Sequence, residues 1–159
     1  MGTKERNTND DRFPVRKHPR ISGYDYATPN YYFITICTHQ KQCIFWTKGE
    51  MNRFGKIVWD ALSRVEEIFP HKRLDSFVVM PNHIHMILVT EPGGADASVV
   101  VGSFKSYVTR TIHRDRPDLA VWQTSFHDHV IRSWKQYQKI REYIQTNPMR
   151  WNNDCFYVE

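Results

Sequence analysis

The chain has 159 residues, 40% of them hydrophobic and 14% aromatic, which is enough to bury the core of one ordinary domain and excludes a disordered polymer. Its net charge of +5 leans toward a polyanionic partner without selecting one. Three cysteines (Cys37, Cys43, Cys155) match no zinc-finger spacing, and no apolar run approaches the ~20 residues of a membrane span, so a cytoplasmic protein with no membrane partner is expected.

Residues 1–20 carry six Lys/Arg against three acids and read as a flexible basic N-terminal arm. Loop and turn residues 23–30 lead into a strand over 31–38 (YYFITICT), rich in β-branched and aromatic side chains. A weaker strand or loop over 42–47 follows. From Asn52 the apolar period changes to three and four residues (Ile57, Ala61 or Leu62, Val65, Ile68 and Phe69), predicting an amphipathic helix that Pro70 stops.

Residues 75–90 (DSFVVMPNHIHMILVT) predict a β-hairpin turning at Pro81 and Asn82. The loop 91–97 then admits a second helix over 98–114, burying Val101, Phe104, Val108 and Ile112 and showing Ser103, Tyr107, Arg110 and Arg114 on its other side. Residues 122–131 read as a loop and a short strand. Ser133 caps a last helix closed by Pro148, with Trp134, Tyr137, Arg141 and Ile144 expected on its core stripe and Tyr143 and Asn147 together on a flank. The order β(β)–α–β–β–α–β–α predicts an α+β fold: an antiparallel β-sheet with flanking helices, of ferredoxin-like architecture.

Two pairs of histidines carry candidate chemistry. His83 and His85 point to one side of a strand and form half of a metal site. His127 and His129 form a second pair, and spacing alone does not rank the two, although the first sits on the longer strand pair. A tyrosine hydroxyl, with its ordinary pKa near ~10, attacks phosphorus only when the target is polarised or its proton is removed. Two imidazoles and one amide oxygen leave positions open for phosphate and water, which suits Mg²⁺ or Mn²⁺. His83, His85 and Asn147 with Tyr143 make one such coherent set.

The runs VVMPNHIHMILV, WQTSFHDHVIRS and REYIQTNPMRW, with GYDY, YFITICTH and GSFKSYVTR, together resemble the single-tyrosine HUH transposases. Within that insertion-sequence-200-like superfamily, they resemble the REP-associated tyrosine transposase branch. The resemblance spans about residues 19–151, so one HUH endonuclease domain over 21–151 is expected, with 152–159 a short C-terminal tail. It implies His83 and His85 as metal ligands, Tyr143 as nucleophile and Asn147 as third ligand, with His127 and His129 structural or DNA-contacting. It further implies a metal-dependent single-stranded DNA endonuclease and strand transferase that acts at hairpin-containing DNA through a 5′-phosphotyrosine intermediate. A homodimer is expected as one arrangement. Lys105, Arg110, Arg114, Arg132, Lys139 and Arg141 are candidate phosphate contacts, and Tyr107 a candidate base-stacking residue. Two rival readings remain: a domesticated, non-cleaving binder of structured single-stranded nucleic acid, and a zinc-dependent hydrolase.

Overall fold

A computed structural model describes residues 30–91 and 93–159. The basic arm expected over 1–20 and the turn residues 23–29 lie outside the described residues.

Four strands form one antiparallel sheet: β1 (Asn30–Cys37), β4 (Lys72–Val79), β5 (His83–Thr90) and β6 (His127–Ile131), in spatial order β4-β5-β1-β6. A two-residue ladder, β2 (Trp46–Thr47) with β3 (Glu50–Met51), stands apart where a weak strand was expected. The helices are α1 (Arg53–Ser63), α2 (Val65–Ile68), α3 (Ala97–Ile112) and α4 (Trp134–Thr146). Chain order and strand order are those of the ferredoxin-like βαββαβ unit, extended by α4.

Local signals set the helix starts. The Asn52 side chain accepts from Phe54 and Gly55 N–H, that of Asp96 from Val99, and that of Ser133 from Gln136. The helix expected to run unbroken from Asn52 to Pro70 is instead broken at Arg64. Its N–H turns back to the Ala61 carbonyl in a tightened turn, at φ −102° and ψ 3°.

Strand periodicity divides the core in two. Tyr32, Ile34, Ile36, Ile84, Met86 and Leu88 face one side, where α1 and α3 cover them with Val58, Leu62, Phe104 and Val108. Phe33, Ile87, Val89 and Ile131 face the other, where α4 covers them with Ile140 and Ile144. The expected core stripe of α4 is corrected here. Trp134 is 69% exposed, Arg141 is exposed and Tyr137 only half-buried, while Ile140, Ile144 and Asn147 are buried. The helix lies over β4 and β5, so its first turn hangs past the packed part of the layer. Among the described residues no helix is long and apolar enough to cross a membrane.

Candidate catalytic and metal site

His83 and His85 share the face of β5 that α4 covers, and both are buried. Each ring is held from behind. The Asn82 amide nitrogen donates to the carbonyls of Lys41 (3.1 Å) and Phe156 (2.8 Å), so its oxygen faces His83 Nδ1 at 2.8 Å. Nδ1 therefore carries the ring proton and Nε2 the lone pair. His85 Nδ1 lies 2.7 Å from the Thr35 hydroxyl, its register neighbour on β1. Burial pushes His83 well below the usual imidazole range, with neighbouring His85 adding to the effect, and pushes His85 down to about 3. Both rings are thus neutral near pH 7, the form in which imidazole ligates a metal.

Tyr143, on α4, brings its hydroxyl 3.4 Å from His85 Nε2 and 3.4 Å from Asp154 Oδ2. Both separations exceed those of a strong hydrogen bond. Burial first, then the charge of Asp154, raises the phenol above its ordinary pKa, while a hydrogen bond from Asn147 acts in the opposite direction. Asn147 begins the 3-10 segment Asn147–Asn153 that Pro148 forces on the chain, and its buried Oδ1 has no hydrogen-bond partner.

Sequence reasoning missed Asp154. The residues after Trp151, expected only as a tail, return to the site. Phe156 N–H donates to Asp154 Oδ1 at 2.7 Å, and Oδ2 stands 3.8 Å from His83 Nε2. The Phe156 ring packs against His83, centroid to centroid 4.6 Å. Ligand atoms of His83, His85 and Asp154 all lie within 4.8 Å of one another, and no other such cluster of three forms among the described residues. No spacing rule links residues 71 positions apart, so only the fold could supply this carboxylate. Asn82 was read as a turn residue only, yet it sets the tautomer of His83.

The same face answers which histidine pair holds the acidic partner. His127 and His129 sit opposite Thr35 and Phe33 in register, half-buried, with β1 separating His127 from His85. Two strand spacings, roughly 10 Å, keep the second pair from sharing one ion with the first. Asp128, between His127 and His129, points the other way, beside Ile34. Cys37, next to His83 in register, is a free buried thiol that burial pushes up to about 12, a poor thiolate ligand.

The candidate DNA contacts divide by layer. Lys105 donates its ammonium to the carbonyls of Gln123 (2.6 Å) and Thr124 (3.2 Å), tying down the loop before β6. Tyr107 and Arg110 are exposed on α3, and Arg114 in the turn just past its end at Ile112, short of the expected 114, all across the sheet from Tyr143. Arg132, Lys139 and Arg141 are exposed on the Tyr143 side.

A family model described as "Transposase IS200 like" matches residues 28–147. An uncharacterized protein of Haemophilus influenzae is 32% identical over 169 residues, covering 91% of this chain and 94% of its own. A REP-associated tyrosine transposase of Escherichia coli is 30% identical over 77 residues, 48% of this chain and 44% of that protein. Among solved structures, a REP-associated tyrosine transposase bound to a REP hairpin superposes with a TM-score of 0.63 at 24% identity, over 82% of this chain and 74% of that one. A Deinococcus radiodurans protein described as a transposase gives 0.54 at 18% identity, over 80% and 95%. With three quarters of its length matched by the family model and its fold shared with these structures, the chain belongs to the IS200-like transposase family and is similar to its REP-associated tyrosine transposases.

Proposed function

We propose that this protein cuts and rejoins single-stranded DNA, with Tyr143 as nucleophile. The observation that carries the reading is the Tyr143 hydroxyl 3.4 Å from Nε2 of His85, beside a carboxylate. The phenol is held protonated by burial, so it attacks only as its proton leaves, and the Asp154 carboxylate, 3.4 Å from the hydroxyl, would take that proton when it is not fully engaged by a cation. The phenolate oxygen forms a bond to phosphorus, the bond from phosphorus to the 3′ oxygen breaks, and that oxygen leaves as a hydroxyl after taking up a proton. The ester left on Tyr143 keeps the bond energy, and a 3′ hydroxyl reverses the step without ATP.

His83, His85 and Asp154 would hold a divalent cation, with the unpartnered Asn147 Oδ1 available as a further oxygen. Two neutral nitrogens with oxygen donors suit Mg²⁺ or Mn²⁺. Such an ion would polarise the scissile phosphate and offset the charge that develops on it. The structural relative bound to a REP hairpin supports hairpin-containing DNA as the substrate class. A denaturing gel of protein incubated with Mn²⁺ and single-stranded DNA from the gene's own flanks tests the reading. A covalent adduct is expected from the parent and from Tyr137→Phe but not from Tyr143→Phe. An adduct that survives Tyr143→Phe, or a parent that binds DNA and never forms one, would overturn it, the latter in favour of a non-cleaving binder.

A further inference from the structure

Trp134 and Tyr137, expected in the core, stand instead at the rim of the layer that holds Tyr143. Their rings stack at 5.0 Å with an interplanar angle of 22°, yet Trp134 stays 69% exposed. Tyr31 meets Tyr137 edge-on at 5.7 Å. The three rings, with Ile131, Arg132 and Ser133, line a cleft of about 340 Å³. A bulge between Leu74 and Ser76 turns Asp75 toward α4, where its carboxylate accepts from the Tyr137 hydroxyl (2.8 Å) and from Arg73 (3.2 Å). That bond holds the Tyr137 ring at the wall of the cleft.

Its charge is one-sided. Arg132 and Arg141 are exposed beside the rings, the half-buried Arg73 is paired with Asp75 behind them, and among the described residues Asp75, mostly buried, is the acid that meets Tyr137. Flat rings edged by arginines are what a base and its phosphate require together: stacking for the one, charge for the other. The cleft also connects to the chemistry. Tyr31 and Phe33 are successive residues on one face of β1, and Phe33 stacks on His85 at 5.3 Å. Along α4, Tyr137 to Tyr143 is six residues, about 9 Å of rise, a reach of a few nucleotides.

We propose that the Tyr31–Trp134–Tyr137 cleft binds an unpaired nucleobase of the DNA strand whose phosphate lies at Tyr143. This rests on the single-stranded DNA reading above and adds to it a base-stacking subsite on the α4 side of the sheet, not the α3 side where Tyr107 was expected to serve.

Fluorescence anisotropy with two labelled probes tests it: an oligothymidylate, and an abasic phosphodiester oligomer of equal length. Trp134→Ala is expected to weaken oligothymidylate binding by about tenfold to a hundredfold and to leave abasic binding unchanged, with Trp134→Phe restoring most of the loss. Arg132→Gln is expected to weaken both probes alike and to reduce the salt slope by about one. Far-ultraviolet circular dichroism of each variant reports folding. Trp134→Ala binding oligothymidylate as the parent does overturns the cleft while leaving strand transfer standing, and a parent that binds neither probe overturns both. Unchanged DNA binding together with a parental dimer that Trp134→Ala splits, seen by sedimentation, assigns the cleft to a second copy of the chain and overturns the proposal.

Discussion

Nε2 of His83 and Oδ2 of Asp154 face each other across 3.8 Å, with both side chains closed to water. The tautomer imposed by Asn82 leaves Nε2 a lone pair, and among the described residues nothing donates to it. A buried acceptor left this way is destabilising by about 1–3 kcal/mol, so the arrangement is best relieved by a cation shared with the carboxylate. Asp154→Asn should therefore weaken Mn²⁺ binding to the DNA-free protein by about tenfold or more, measured by the loss of free-ion electron paramagnetic resonance signal. Equal affinity in the variant would remove Asp154 from the ligand set and leave Asn147 as the remaining oxygen donor.

Asn82 would act on such an ion from one bond further out. Its amide orients His83 and anchors the Phe156 carbonyl. Asn82→Ala should lower Mn²⁺ affinity about 10- to 100-fold, the usual effect of losing a group that orients a histidine ligand. Isothermal titration would check it, and a parent-like affinity would show that strand geometry alone sets the ring.

Half of the candidate site was legible in the sequence. His83 and His85 followed from the two-residue period of a strand, and the Tyr143–Asn147 pairing from the angle between residues four apart on a helix. Asp154 was not, because it arrives through a chain reversal after Pro148 that carries no spacing signal. The α4 stripe was misassigned for a related reason. Of two candidate stripes, the one holding the polar Asn147 looked like the outer flank, while the aromatic pair Trp134 and Tyr137 looked like core. Asn147 is buried because the site itself lies inside the layer, and Trp134 is exposed because the layer stops short of it. Neither fact is a property of the helix taken alone.

That assignment has a stability consequence. Ile140 is fully buried against the β4–β5 face, and Ile140→Ala should cost about 2–5 kcal/mol in urea unfolding. Trp134→Ala, removing a mostly exposed ring, should cost well under half as much. The reverse order would restore the stripe expected from sequence.

Lys105 offers a contrast between charge on paper and charge in place. Its ammonium sits on two backbone carbonyls of the loop leading into β6. Lys105→Met should cost about 1–3 kcal/mol of stability through those lost charged hydrogen bonds. It should leave the salt slope of DNA binding as it was, whereas each true phosphate contact removed shallows the slope by about one. A shallower slope for Lys105→Met would return this residue to the DNA interface.

Phe156 packs against both histidines of the site. Its ring lies 4.6 Å from that of His83 and 5.9 Å from that of His85, under the cation of Lys41 at 5.6 Å. With the ring in place His83 is 0% exposed, so a reagent reaches Nε2 through a local opening, which a swing of the last residues would supply. Diethyl pyrocarbonate acylates neutral imidazole, the state that burial imposes here. Phe156→Ala should therefore speed acylation of His83 several-fold, read by peptide mass spectrometry, with half-buried His127 as the internal reference. Because Asp154 precedes the substitution and remains in the chain, Mn²⁺ affinity should fall far less than in Asp154→Asn. An unchanged acylation rate would mean that α4, not the C-terminal ring, is the barrier to His83.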